Sequence, residues 1–360
     1  MKFVSPFLKR VVYPSMARAG MFRRAQATGL AVVTYHGVLP DGYEIQDPAL
    51  DGNLISAQML RRQIRLLKTN YNVVSPDELR DWRRGTHELP PRAVVLTCDD
   101  GLLNCLTDML PVLQAENVSC LFFVTDISSE GSRKMLWYEE LCLLFLCAAD
   151  GMFEVPYADT VFEADLGPRK QRLALWWDAV QRLSQIDAPA RDAFLAAASA
   201  VLRVDRPRDT VLRATVSSRR FGLLTAAEVR KLESAGMAIG AHTLNHPVLA
   251  QVSSEIANAE ICGSRQMLES VVQRPIWAFA YPFGNSLSVT PEVLGLPRTA
   301  GFEMAFVNYG GGLGAELPPF AMPRIHVTAD MSISEFEAHV SGFYRRLQSR
   351  AGRNHHSPAA

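Results

Sequence analysis

The sequence predicts an α/β fold built on parallel strands and interrupted by a helical insertion. Three observations carry that expectation. Short β-branched runs alternate with helical patterns toward both ends of the chain. Hydrophobic residues make up 48% and charged residues 21%, so a large core can be buried. A length of 360 residues suits either two domains or one α/β barrel with an addition.

The elements can be justified in order. Residues 1–29 read as a basic lead-in, because residues 1–40 contain Lys2, Lys9, Arg10, Arg18, Arg23 and Arg24 and no acidic side chain. Two roles fit: a solvated amphipathic approach to the first strand, or a peripheral contact with an anionic membrane surface. Residues 31–35 (AVVTY) read as the first buried strand. Ser56 can cap a helix that carries Leu60, Ile64 and Leu67 on one face. Residues 93–97 (AVVLT) read as the second strand, followed by a helix with Leu106, Met109, Leu110 and Leu113. Runs at 118–124, 237–241, 277–281, 304–307 and 322–327 complete the strands. Thr225 with Glu228, and Ser332 with Glu335, are capping-box patterns.

Residues 30–125 and 222–345 therefore form the strand–helix body, and in residues 126–221 the alternation stops. There Phe194, Leu195, Ala198, Val201 and Leu202 share a helical face, so this stretch is expected to be a helical insertion. Its Trp137, Trp176 and Trp177 are expected to serve its own core. Residues 346–360 are expected to be a disordered tail, with His355 and His356 solvated.

Charge and composition exclude several classes. The 37 basic residues cancel the 37 acidic ones, which argues against a nucleic-acid partner. No run of apolar residues is long enough to cross a membrane as a helix. Pro6, Lys9 and Arg10 break up any secretory apolar region, and the six cysteines contain no CxxC pair. Both facts lead to the expectation of a cytoplasmic protein, membrane-associated if the lead-in makes that contact.

Chemistry collects at strand ends in such folds. After the second strand comes Asp99-Asp100-Gly101, two adjacent carboxylates that repel each other unless a cation is near. Gly101 permits a turn that can bring both into one cleft. After the run at 237–241 come His242 and His246, spaced like two imidazole ligands of one metal. Pro247 disfavours helical geometry at His246, so the pair is expected on a tight turn. A divalent cation held by one Asp and two His keeps positions open for water or substrate, and the other Asp is then free to act as general base.

The stretches TCDDG at 97–101 and HTLNH at 242–246 resemble the first two motifs of the polysaccharide deacetylase family, the NodB-homology domain of carbohydrate esterase family four. Tyr35-His36-Gly37, FAYPFG at 279–284 and FAMPRIHV at 320–327 extend the likeness. The resemblance covers residues 30–125 and 222–345 and implies a distorted (β/α)7-type barrel. It implies Asp99 as catalytic base, and Asp100, His242 and His246 as ligands of a divalent metal, usually zinc. It assigns the backbone N–H of Phe283 to the oxyanion. Tyr281 and Arg324 are expected beside it at the oxyanion and substrate, and His36, just after the first strand, is placed to contact substrate.

Two departures from the family pattern bear on the chemistry. Ala280 stands where the family's third motif usually has an Arg that tethers the catalytic Asp; Arg324 could supply that guanidinium from the last strand. The family's late Leu-x-His motif is matched imperfectly by Arg324-Ile325-His326, with His326 as the candidate general acid. Period-two alternation puts Arg324 and His326 on the same face of their strand.

The expected function is metal-dependent hydrolysis of N-acetyl groups on a sugar of a polysaccharide or glycan precursor, as in exopolysaccharide biosynthesis, with release of acetate. Two other readings stay open at this point: a catalytically weak or inactive glycan-binding member of the same fold, and a metal-dependent phosphohydrolase using Asp99 and Asp100.

Overall fold

The apolar runs at 31–35, 93–97, 118–124, 237–241, 277–281, 304–307 and 322–327 all contain strands, and these strands close on one another. The computed structural model describes residues 8–24, 29–157 and 160–350. Among them are nine strands longer than two residues: β1 (Leu30–Tyr35), β2 (Ala93–Cys98), β3 (Leu121–Val124), β4 (Gly151–Tyr157), β5 (Thr160–Leu166), β6 (Ala238–Ala241), β7 (Ala278–Ala280), β8 (Met304–Gly310) and β9 (Met322–His326). Strands β1, β2, β3, β6, β7, β8 and β9 stand side by side in chain order, all parallel, and β9 pairs back onto β1. The result is a closed seven-stranded parallel barrel, as expected.

The reason lies in two-sided burial. Val32, Val95, Phe123, Ala280 and Phe306 fill the barrel interior, while Val33, Leu96, Phe122 and Phe279 pack outward against the helical layer. Strands covered on both faces read as continuous apolar runs, which is why they were visible in the sequence. Gly240 faces the Phe123 ring, whose nearest atoms would lie 2.6 Å from an added Cβ, so no larger residue fits there without displacing it.

The helices used below are α1 (Tyr13–Arg18), α2 (Ala57–Asn70), α3 (Pro76–Arg84), α4 (Trp137–Cys147), α5 (Arg169–Leu183), α6 (Ala188–Leu202), α7 (Ala226–Ser234), α8 (Ser254–Val272), α9 (Ile333–Val340) and α10 (Phe343–Arg350). Ser56 caps α2 by accepting the Met59 N–H, and Thr225 with Glu228 forms a full capping box on α7. At α9 only half of the expected box forms. Ser332 accepts the Glu335 N–H, but the Glu335 carboxylate faces Lys9 at 3.4 Å.

Residues 126–221 are not helical throughout, which corrects the expectation. Strands β4 and β5 form an antiparallel hairpin that packs with α4, α5 and α6 around Phe145, Val155, Phe162, Leu183 and Phe194. Phe162, Ala164 and Leu166 alternate at period two, the pattern of a strand covered on one face. The buried Arg220 joins this unit to the body by donating to Asp51 Oδ1 at 2.6 Å and to Glu139 Oε1 at 2.8 Å.

The basic lead-in is used structurally over its described part. Tyr13 and Phe22 are buried with Ala338 of α9, and Lys9 pairs with Asp330 at 2.7 Å. The tail expected from residue 346 is corrected as well, since α10 continues to Arg350. His355 and His356 lie outside the described residues.

Candidate active site

The C-terminal ends of β2, β6 and β9 converge at one mouth of the barrel. Along β2, residues 93, 95, 97 and 99 face inward, which carries Asp99 into the mouth. Asp100 and Gly101 then both adopt left-handed backbone, at φ 77° and 73°. That turn brings both carboxylates into the same buried region, at 2% and 5% exposure. The sequence pointed to Gly101 for the turn, yet the aspartate before it also takes the unfavourable conformation.

Asp100 faces the two histidines. Its Oδ1 lies 3.5 Å from His242 Nε2 and 3.3 Å from His246 Nε2. One ligand atom from each of the three residues lies within 4.8 Å of the other two. Burial pushes the Asp100 carboxyl upward, but the two imidazoles and His36 outweigh it and hold the group well below the usual carboxylate range. His242 turns Nδ1 to the Ala280 carbonyl at 2.7 Å, which leaves Nε2 for a ligand. Neither ring nitrogen of the buried His246 has a hydrogen bond. A cluster of one carboxylate and two imidazoles with unpaired nitrogens fits a divalent cation, and the donor set suits zinc.

Asp99 belongs to a different partner. Arg324 donates from both terminal nitrogens to its two carboxylate oxygens, at 2.7 and 2.6 Å, while Arg324 Nε donates to the Val307 carbonyl at 3.1 Å. Burial raises the Asp99 pKa, and the Arg324 charge and its hydrogen bonds lower it further than that, so the carboxylate is held ionised. The guanidinium absent at Ala280 thus reaches the same carboxylate from β9.

His326 shares the inward face of β9 with Arg324, and its ring lies 4.8 Å from that of His36. Its Nε2 is buried without a hydrogen bond. Burial first, and then the neighbouring His36, press its pKa down to about 3. Burial thus favours the neutral imidazole near neutral pH. His36 is anchored through its neighbours: Asn104 Oδ1 accepts the Val38 N–H at 3.2 Å and sits where a Cβ on Gly37 would be.

Phe283 takes φ 58° in the turn after β7, and its ring packs 4.9 Å from His246. Among the described residues no hydrogen bond uses its N–H, which keeps that donor free for an oxyanion. Tyr281 is different. Its ring is buried in the core and its hydroxyl donates to the Phe320 and Leu294 carbonyls at 3.0 and 3.2 Å, so the expected substrate contact is corrected to a structural role.

Several residues of the site gave no usable signal in the sequence. Glu260 of α8 accepts the N–H groups of Leu244 and Asn245 at 2.9 and 2.8 Å and so grips the histidine turn. Trp177, expected in the insertion's core, and Tyr138, which the sequence did not single out, lie against Phe283, each with ring centroids 5.5 Å from it. Trp137 donates its indole N–H to the turn itself. Only the packing of the insertion on the barrel brings these together.

The parallel barrel thus carries at its mouth an Asp–His–His cluster able to hold a metal ion and a second Asp tethered by Arg324. Residues 197–305 match the family model described as Polysaccharide deacetylase. A segment of 90 residues, 24% of this chain, is 37% identical to the Poly-beta-1,6-N-acetyl-D-glucosamine N-deacetylase of Escherichia coli K12, covering 12% of that protein. Another of 117 residues, 32% of this chain, is 22% identical to YxkH of Bacillus subtilis, covering 41% of it. The matches thus span less than half of either relative's length.

Among solved structures, a Streptococcus pyogenes deacetylase, PplD, in complex with acetate superposes with TM-score 0.52 at 16% identity, over 87% of this chain and 99% of that one. IcaB from Ammonifex degensii gives TM-score 0.52 at 18% identity, over 88% and 98%. These likenesses establish the fold. The family resemblance carried by the motifs is borne out: residues 197–305 match the polysaccharide deacetylase model, and the barrel is shared with solved deacetylases.

Proposed function

We propose that this protein is a divalent-metal-dependent deacetylase that hydrolyses N-acetyl groups on an amino-sugar glycan, releasing acetate. The observation that carries the reading is the Asp100–His242–His246 cluster beside an Asp99 held by Arg324. The similarity to a poly-β-1,6-N-acetylglucosamine deacetylase points to a polymer of that sugar, or its precursor, as substrate.

Asp100, His242 and His246 would hold the cation, zinc by donor type. When bound, such an ion supplies Lewis acidity toward water and the acetyl carbonyl. Asp99, ionised and oriented by Arg324, accepts a proton from the attacking water. The Phe283 N–H donates to the carbonyl oxygen as negative charge develops on it. The departing nitrogen needs the proton that Asp99 has taken, and neutral His326, with Nε2 unpaired, holds that proton in transit. The Asp99–Arg324 pair favours an active enzyme over an inactive relative. It also leaves one carboxylate, not two, facing the histidines, which weighs against a phosphohydrolase.

Free cysteines among the described residues fit a reducing, cytoplasmic compartment. No helix among the described residues is long and apolar enough to cross a membrane. Tyr13 and Phe22 are packed against α9, whereas Arg10 and Arg18 are exposed and would face an anionic surface. Co-sedimentation with anionic vesicles at low salt, lost at high salt, is the expected result; absence of binding at low salt refutes the contact.

The test of function is acetate release by the metal-loaded protein from a panel of acetylated glycans. Asp99→Asn should lose turnover and keep the ion, whereas Asp100→Ala should lose both. Full activity in Asp99→Asn would overturn the reading.

A further inference from the structure

We propose that Trp137, the first residue of α4, is a positioning residue for the metal-ligand turn, so that the insertion sets how tightly the ion is held. This deepens the reading above and rests on its assignment of Asp100, His242 and His246 as ligands.

The turn from His242 to His246 is built against backbone preference. Thr243 and His246 sit at φ 64° and 49°, where non-glycine residues are strained, and such a conformation persists only when its surroundings over-determine it. Part of the restraint comes from the barrel side. Glu260 accepts the N–H groups of Leu244 and Asn245 and also the Asn245 side-chain amide at 2.7 Å. Thr243 Oγ1 accepts the His246 N–H at 3.1 Å.

The carbonyl side of the same turn is held from the insertion. The Trp137 indole N–H donates to the carbonyls of Asn245 and His246, at 3.1 and 3.3 Å. Arg191 of α6, only 3% exposed, places its guanidinium 4.9 Å from the Trp137 ring centroid and one N–H 3.4 Å from the Asn245 carbonyl. The next residue of α4, Tyr138, lies with its ring 5.0 Å from that of His246. Beyond the turn, Val248 N–H donates to Ser184 Oγ at 3.1 Å.

The peptide planes after Asn245 and His246 are thus fixed by donors from α4 and α6. In a left-handed residue the orientation of those planes decides where the Cβ, and hence the imidazole, points. Removing the indole donor frees the carbonyls, lets the turn relax toward less strained backbone, and moves His246 Nε2 away from the common centre with Asp100 and His242. The insertion is then part of the ligand scaffold.

The test is a pair of variants read by ion affinity, independently of turnover. Trp137→Phe keeps an aromatic, though smaller, side chain and removes the indole N–H. Tyr157→Phe removes the hydroxyl that bonds the Arg182 carbonyl at 3.1 Å within the insertion, away from the turn, and serves as the structural control. Zinc affinity is measured by competition with a chromophoric chelator, and the cobalt-substituted forms are compared by their visible absorption spectra. The expected result is roughly tenfold weaker zinc binding and an altered cobalt spectrum in Trp137→Phe, the lower end of what loss of a supporting hydrogen bond costs a metal site. Tyr157→Phe should match the wild type in both. Equal affinity in wild type and Trp137→Phe overturns the inference alone, as does an equal loss in both variants. A wild-type chain that binds no divalent ion overturns the metal assignment and the inference with it.

Discussion

At the scale of the residue, two adjacent buried carboxylates are kept in different circumstances, which the proposed chemistry requires. Asp100 is stabilised by imidazoles and Asp99 by a guanidinium, and neither is left with an uncompensated buried charge. The lowered Asp99 pKa has a definite sign: the carboxylate stays ionised down to pH values below its ordinary 3.8, and the contribution of its ion pair to stability is lost only as pH falls through that lowered value. Arg324→Ala removes the main opposing influence and leaves burial to raise the pKa. Its expected outcome is a loss of turnover of about a hundredfold or more, with the acid limb of the pH–rate profile displaced upward. Steady-state rates across pH check this, and undiminished turnover would refute the role of Arg324. The sequence offered Arg324 as a replacement for the guanidinium missing at Ala280, but its contact with Asp99 is a matter of tertiary structure. The core position of Tyr281 was not legible in the sequence, since neighbours in a motif can point to opposite sides.

At the scale of the element, period and capping signals carried well. Runs such as AVVTY and AVVLT formed barrel strands because burial on both faces demands continuous apolar residues. The hairpin β4–β5 escaped because its alternation lies within a stretch dominated by helical periodicity. It lies on the insertion's surface, with only Val155, Phe162, Ala164 and Leu166 fully covered. The Ser332 box was read from local spacing, but a distant cation, Lys9, draws Glu335 away from it. The histidine turn combines both cases. Its spacing and Pro247 announced a tight turn, while Glu260 and Trp137, the side chains that grip it, come from elements remote in sequence.

At the scale of the whole molecule, the insertion and barrel are joined by buried charge as well as by apolar packing. Arg220 is fully buried between Asp51 of the body and Glu139 of α4. Arg220→Met leaves those two carboxylates without their cation, and a loss of about 3–5 kcal/mol in unfolding free energy is the expected outcome. Chemical denaturation measures it; a change within 0.5 kcal/mol, the usual range for exposed substitutions, would refute it. Because α4 also carries Trp137 and Tyr138, the same junction that stabilises the molecule delivers the insertion's side chains to the barrel mouth.

The sequence by itself determined the α/β class, the seven barrel strands and the carboxylate–histidine set. These depend on burial period and short spacing, which local order records. Only the tertiary structure decided that Arg324 reaches Asp99, that His326 is buried beside His36, and that the insertion closes on the histidine turn. Charge pairing, desolvation and packing depend on distances between segments far apart in the chain, and no local pattern encodes those distances.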